Sequence, residues 1–373
     1  MSSSTTQRLH ALDGVRAVAA SLVVLHHFGA TNGAITLAAH GYRLTGALIS
    51  GVTAGGVELF FVLSGVVLAR PYLRAKRPMI VTSYFLRRVQ RLFPPFLVAW
   101  LVSGLSIYLA ASFPTWWIVS ENLPPFHLQD WLQQIGIIYW GDRLYNPPVW
   151  SLSTEVVFYL LVPLLIPLFR HVPESRILVI PFFIVSILAS TLAFAHPLLS
   201  LTVFNRLIMY SSCFCGGMLL AAVDFTPIVR RSVAFAGAAW VVCSAYVEAL
   251  NPHVGWGLLA FALVSSASDY NTAIEKVLSR PLFVWVGERS YSLFLTHWAV
   301  ILLTYHGVSR LTASKGAAYF LETRILAAPL MLLAAMLLFH FVERRFAKNL
   351  VTANAFWPWS VSRGETNAYA GAT

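Results

Sequence analysis

Apolar runs long enough to cross a bilayer recur along this chain, and no other feature limits its fold as much. A helix rising 1.5 Å per residue needs about 20 apolar residues to span the hydrocarbon core. Such runs lie at roughly 11–30, 54–70, 92–112, 149–169, 177–195, 204–223, 233–250, 254–268, 289–306 and 320–342. Charged residues gather between them, and the short alternating segments of an outer-membrane barrel are absent. At 58% hydrophobic and 11% charged residues, the composition excludes an ordinary soluble domain. The reading is an all-α, polytopic membrane bundle of about ten helices. Residues 1–346 form the transmembrane domain and 347–373 a cytoplasmic tail.

The net charge of +11 would suit a nucleic-acid partner, yet the basic residues sit in short clusters at the ends of apolar runs. The positive-inside rule accounts for that placement. With the N-terminus in the cytoplasm, the inner connections hold Arg70, Arg74, Lys76, Arg77, Arg87, Arg88 and Arg91, then Arg170 and Arg176, Arg230 and Arg231, Lys276, Arg280 and Arg289, and Arg344, Arg345 and Lys348. Only Arg43, Arg143, Arg206, Arg310, Lys315 and Arg324 remain outside. Both termini are therefore expected in the cytoplasm. Cys213, Cys215 and Cys243 lack metal-ligand spacing, and no metal is expected. The first run is expected to be a retained helix, since it spans and lacks a small-residue cleavage site. The connection from 113 to 148 carries Trp116, Trp117, Pro124, Pro125, Trp131, Trp140, Pro147 and Pro148, which predicts a loop folded back on the outer surface.

Ionisable groups inside a membrane helix are costly and mark polar interiors. The first helix carries Asp13 and Arg16 near one end and His26 and His27 near the other. Arg16 and His27 are eleven residues apart, three turns plus about 20°, so they share a face about 16 Å apart along the axis. His26 points about 100° away, into a neighbouring helix. Arg16 reads either as a topology anchor paired with Asp13 or as a functional cation. His27 reads either as an interhelical hydrogen-bonding group or as a base. Glu58 and Glu155 lie a few residues into the second and fourth runs, at a depth similar to His27. A carboxylate there either orients a basic histidine or pairs with a buried arginine. His297, near the middle of the ninth run, lines the same cavity or packs against it. Arg87, Arg88 and Arg91 sit three and four residues apart, so at least two guanidinium groups converge. Such a cluster suits phosphates, a lipid headgroup or a plain cytoplasmic flank.

Taken together in order, these stretches resemble the acyltransferase-3 family of multispanning membrane acyltransferases. The resemblance rests on Leu12-Asp13-Gly14-Val15-Arg16 with His27-Phe28, on Glu58-Leu59-Phe60-Phe61-Val62-Leu63-Ser64-Gly65, on Arg87-Arg88-Val89-Gln90-Arg91, and on Trp150-Ser151-Leu152-Ser153-Thr154-Glu155 leading to Tyr159. Later matches are Ser290-Tyr291-Ser292-Leu293-Phe294-Leu295-Thr296-His297-Trp298 and Glu343. It covers about residues 10–346, and its motifs are specific as an ordered set. Glu58 stands where the family commonly has Asp, and Arg344 where it often has Pro.

The resemblance implies an O-acyltransferase of a cytoplasmic (inner) membrane that draws acyl groups, acetyl first among them, from cytoplasmic acyl-coenzyme A. Relatives acylate extracytoplasmic or lipid-linked carbohydrates and other hydroxylated molecules, and some carry a fused esterase-like domain, which is not expected here. It also selects His27 over His26. On this reading Arg16, Arg87, Arg88 and Arg91 hold the donor phosphates, while His27, with Arg16, Glu155 and Glu58, carries out the transfer. Asp13, Ser64, Trp150, Tyr159 and His297 line the substrate path. His27 acts either as general base or as a nucleophile forming an acyl-histidine. The competing reading is a proton-coupled transporter with His27, Glu58 and Glu155 as its relay.

Overall fold

The computed structural model describes residues 3–30, 43–73, 78–112, 126–138, 145–170, 175–195, 202–247, 249–269, 272–311 and 316–346. Among these no strand occurs. Helix α1 (Ser3–Leu25) runs into a π-turn at His26–Ala30, which ends at Gly29 with φ of 103°, a conformation that glycine adopts without strain. Then come α2 (Arg43–Leu73), α3 (Val81–Ser112), α4 (Leu128–Gln133), α5 (Val149–Arg170), α6 (Ser175–Ala195), α7 (Thr202–Met209), α8 (Ser211–Ala222) and α9 (Pro227–Ser244). The chain continues through α10 (Pro252–Ala267), α11 (Ala273–Leu278), α12 (Pro281–Glu288), α13 (Ser290–Leu311) and α14 (Gly316–Leu338), closing on a π-turn at Phe339–Glu343.

Five helical stretches are long and apolar enough to cross a membrane: His10–Gly29, Gly51–Leu73, Val81–Leu109, Val149–Pro167 and Glu322–Phe346. They coincide with the first four expected runs and the last. The other expected runs do not meet these limits of length and apolar character among the described residues. The sixth run breaks at Tyr210 into α7 and α8, and α8, at 12 residues, reaches only about 18 Å. Val179–Ala195 and Pro252–Ala267 are apolar but short. The third run extends backwards, so Arg87, Arg88 and Arg91 stand on the first turns of α3 itself. That helix continues through Pro94 and Pro95, whose missing N–H groups free carbonyls on the preceding turn.

Outward faces are apolar. Ile184, Val185, Leu188 and Leu192 on α6 and Leu330, Leu332, Leu333 and Leu337 on α14 are exposed, a surface suited to lipid and unfavourable in water. Helix starts follow capping chemistry. The Thr226 hydroxyl precedes Pro227 and accepts from the Val229 N–H, and the Asn251 side chain precedes Pro252 and accepts from the His253 N–H at 3.0 Å. Of the expected folded-back loop, Trp131 is described: it stacks on Trp100 at 4.1 Å, and each indole N–H donates to the other's carbonyl. Trp116, Trp117, Pro124, Pro125, Trp140 and the tail at 347–373 lie outside the described residues.

Small residues set the central seam. A Cβ on Gly65 of α2 would lie 2.2 Å from the Phe214 carbonyl oxygen, and one on Gly217 of α8 would lie 2.1 Å from that of Val62. The two backbones therefore touch, as in small-residue membrane interfaces. Polar bonds tie the other helices: the Tyr84 hydroxyl of α3 donates to the Tyr159 carbonyl at 3.2 Å, that of Tyr291 to the Leu92 carbonyl at 2.9 Å, and Asn146 to the Leu295 carbonyl at 2.9 Å. Arg324 of α14 donates to the Phe28 carbonyl at 2.8 Å, anchoring the end of α1.

Gly217→Ala should force the α2–α8 seam apart at a cost of about 1–3 kcal/mol. A lower midpoint of thermal unfolding in detergent reads this. Gly307→Ala, where a Cβ meets nothing within 4 Å, should leave the midpoint unchanged or raise it, since alanine is the better helix former.

Candidate functional site

Arg16 is half-buried on α1 and paired with Asp13 one turn earlier at 3.1 Å. Its far side opens into a cleft enclosing about 750 Å³ of empty space, open solvent included. From α3 come Arg88 and Arg91, from α2 Ser64, from α5 Glu155 and Tyr159, and from α13 Ser290 and Tyr291. Arg88 lies over the rings of Tyr84 and Tyr159, 5.5 and 5.6 Å from their centroids. Its Nε is buried without a hydrogen-bond partner. Among the residues lining the cleft, three guanidinium groups accompany the one carboxylate of Glu155, and Asp13 pairs with Arg16 beside it. Arg87 is not among the lining residues. The expectation put Arg87 with Arg88 and Arg91 on the donor; the rotation of α3 brings only the latter two to this cleft.

Glu155 accepts hydrogen bonds from the Ser64 hydroxyl and, at 2.5 Å, from the Tyr159 hydroxyl. Its carboxylate thus joins α2 to α5 across the cleft. Glu343, buried in the final π-turn, accepts from Ser292 of α13 at 2.6 Å.

The cleft stops short of His27. Val57, Phe60 and Phe294 close that end, with the Phe60 and Phe294 rings edge to face at 6.1 Å. One turn beyond Phe294 on α13 is His297, fully buried, whose Nε2 lies 3.2 Å from Nδ1 of His27. The same His27 nitrogen lies 2.9 Å from the Val23 carbonyl oxygen. Trp298 meets the His27 ring edge-on at 5.6 Å. His26 turns to α2, where its Nδ1 donates to the Thr53 hydroxyl at 3.2 Å, that hydroxyl donating in turn to the Ile49 carbonyl. The two histidines of the doublet thus face different helices.

Neither expected carboxylate is hydrogen-bonded to His27. Glu155 faces the cleft. Glu58, 1% exposed, accepts from Nδ1 of His253 at 2.5 Å, and the other nitrogen of that ring lies 3.2 Å from the Tyr210 hydroxyl. Trp150 meets the Tyr210 ring at a tilt of 39° and lies beneath Arg206, and it is not among the residues lining the cleft. Sequence reasoning passed over His253, which sits just inside a capped helix start at Asn251-Pro252, and Tyr291, which stands inside one of the quoted motifs. Among the described residues no group of three or more His, Cys, Asp or Glu is placed to hold a metal.

Comparison with known proteins adds a family context. The family model described as an acyltransferase domain matches residues 9–343. The O-acetyltransferase OatA of Staphylococcus aureus is 24% identical over 393 aligned positions, covering 94% of this chain and 59% of that protein. The acyltransferase MdmB of Streptomyces mycarofaciens is 36% identical over 136 positions, 35% of this chain and 33% of that protein. The chain thus spans well under two-thirds of the length of these relatives. No solved structure matches it.

Ser64→Ala and Tyr159→Phe each remove a donor to Glu155. Each should cost about 1–3 kcal/mol, and the double variant should depart from the sum of the two because both act on one carboxylate. Thermal or denaturant unfolding of the four proteins measures both quantities.

Proposed function

This chain belongs to the acyltransferase-3 family, and from that premise we propose that it is a membrane O-acyltransferase. It transfers an acyl group, acetyl in the first instance, from acyl-coenzyme A to a hydroxyl of an extracytoplasmic or lipid-linked carbohydrate. The observation that carries this reading is the three-arginine cleft, of which Arg16 stands on the same helical stretch as His27. Arg16, Arg88 and Arg91 supply forked, charge-assisted donors for the diphosphate and ribose phosphate of the donor. On this reading the mouth faces the cytoplasm, the side that the positive-inside rule favours for clustered arginines. The name O-acetyltransferase carried by OatA agrees with an acetyl donor and a hydroxyl acceptor.

In this reaction His27 is the general base. It takes the proton of the acceptor hydroxyl as that oxygen forms a bond to the acyl carbon. The carbon–sulfur bond breaks, and the proton passes from His27 to the departing thiolate. The pantetheine arm bridges the about 16 Å of α1 that separate the arginine from the base, so the thioester must reach past Phe60 and Phe294. Glu155, with Ser64 and Tyr159, shapes the donor channel and does not orient the base.

Membranes containing the protein, supplied with radiolabelled acetyl-coenzyme A, should transfer label covalently to an endogenous acceptor. His27→Ala should lower that transfer by about 100-fold or more. Full transfer by His27→Ala removes this residue from the chemistry, and substrate movement without covalent change favours a transporter. In a second measurement, titration of coenzyme A into the purified protein, Arg88→Ala with Arg91→Ala should weaken binding at least about 100-fold. That is the scale of two charged hydrogen bonds at about 1.5–3 kcal/mol each. Unchanged binding assigns the pair to topology alone.

A further inference from the structure

The hydrogen positions on the two facing imidazoles follow from their neighbours. Nδ1 of His297 lies 2.7 Å from the Phe294 carbonyl oxygen and 3.2 Å from that of Leu293. Carbonyl oxygens only accept, so this nitrogen carries the hydrogen, and a neutral imidazole then has a bare lone pair on Nε2. That lone pair faces Nδ1 of His27 at 3.2 Å. The other neighbour of the same nitrogen, the Val23 carbonyl oxygen at 2.9 Å, is an acceptor as well. Between two acceptors, Nδ1 of His27 must be the protonated nitrogen. Nε2 of His27 is thereby left as the basic one.

We propose that His297 is the positioning residue of His27, holding its ring as the Nδ1–H tautomer with Nε2 free to accept a proton. This inference rests on the reading of His27 as the base of the transfer. The role is the one a buried carboxylate fills beside the histidine of a serine-protease triad. Here the orienting group is a second imidazole, itself made a one-way acceptor by the carbonyls of its own helix. The Val23 carbonyl cannot do this alone. It lies on the same helix as His27, one turn before the π-turn that ends in Gly29 at φ 103°, and so moves with the ring. His297 comes from α13 and ties the ring to a separate helix, while the Trp298 ring, edge-on at 5.6 Å, blocks rotation on another side. When Nε2 takes the acceptor's proton the ring becomes a cation, and its Nδ1–H becomes a stronger donor to the waiting His297 lone pair. A neutral acceptor also suits the surroundings. The buried His297 ring has Phe294 and the His27 ring beside it, and an ionised carboxylate among such groups would have to be desolvated without a cation to pair with.

Nitrogen-15 spectra of histidine-labelled protein in lipid bilayers test this, with the signals of His27 identified by their loss in His27→Gln. The expected result is a protonated Nδ1 and an unprotonated Nε2 on His27 in the parent protein. His297→Leu should produce a mixture of the two His27 tautomers and lower turnover about tenfold or more, with the apparent KM for acetyl-coenzyme A within about twofold. His297→Gln, which restores an acceptor oxygen, should recover the single tautomer and most of the turnover. A parent spectrum with the proton on Nε2 of His27 overturns the proposal. So does equal loss of turnover in the Gln and Leu variants at unchanged thermal midpoint, which would mark His297 as packing. Should His297→Leu fail to fold, the parent spectrum and the Gln variant still decide. The spectra are read without any acceptor substrate, so failure of the transfer reaction itself shows in the labelling assay and leaves the tautomer result standing.

Discussion

Burying positive charge is the constraint around which this structure is arranged. Arg16, Arg88 and Arg91 converge on one cleft, where the cost of removing guanidinium groups from water would be prohibitive without compensation. Asp13 compensates Arg16 directly, and aromatic faces of Tyr84 and Tyr159 receive Arg88. One nitrogen of Arg88 is left buried and unbonded. On the proposed function, the phosphates of the acyl donor would meet it.

The rest of the bundle holds that cleft open at one end and closes it at the other. The glycine seam between α2 and α8 lets two backbones meet and carries Ser64, next to Gly65, to Glu155. Tyr84, Tyr291 and Asn146 each donate to a carbonyl on a neighbouring helix; the Tyr159 carbonyl is the one that Pro163, four residues on, leaves without its helical partner, and the three bonds join α3, α5 and α13 around the cavity. At the closed end Phe60 and Phe294 separate the arginines from the histidine pair.

Much of this was legible in the residues. The apolar runs announced helices, and α1, α2, α3, α5 and the last long helix answer to them. The short runs did not announce their own limits, because apolar composition does not record a break such as that at Tyr210, which depends on the neighbouring packing. Spacing on α3 put Arg87, Arg88 and Arg91 together on the donor, and only Arg88 and Arg91 line the cleft, since the pattern of a helix says nothing of which way it is rotated. Depth along the helices suggested Glu58 and Glu155 as partners of His27. Depth is one coordinate of three, and the lateral packing of α2 against α10 gives Glu58 to His253 instead.

From the sequence alone followed an all-helical chain with apolar helices of membrane-crossing length, and a first helix with Arg16 and His27 on one face, because helical rise and period are local properties of the backbone. Which groups meet across helices was decided only by the tertiary structure. His297 against His27, Ser64 and Tyr159 against Glu155, and the phenylalanine pair between cleft and base are contacts between residues far apart in the chain. They depend on the rotation and approach of packed helices, which close-fitting glycines and interhelical hydrogen bonds set and which no single helix encodes.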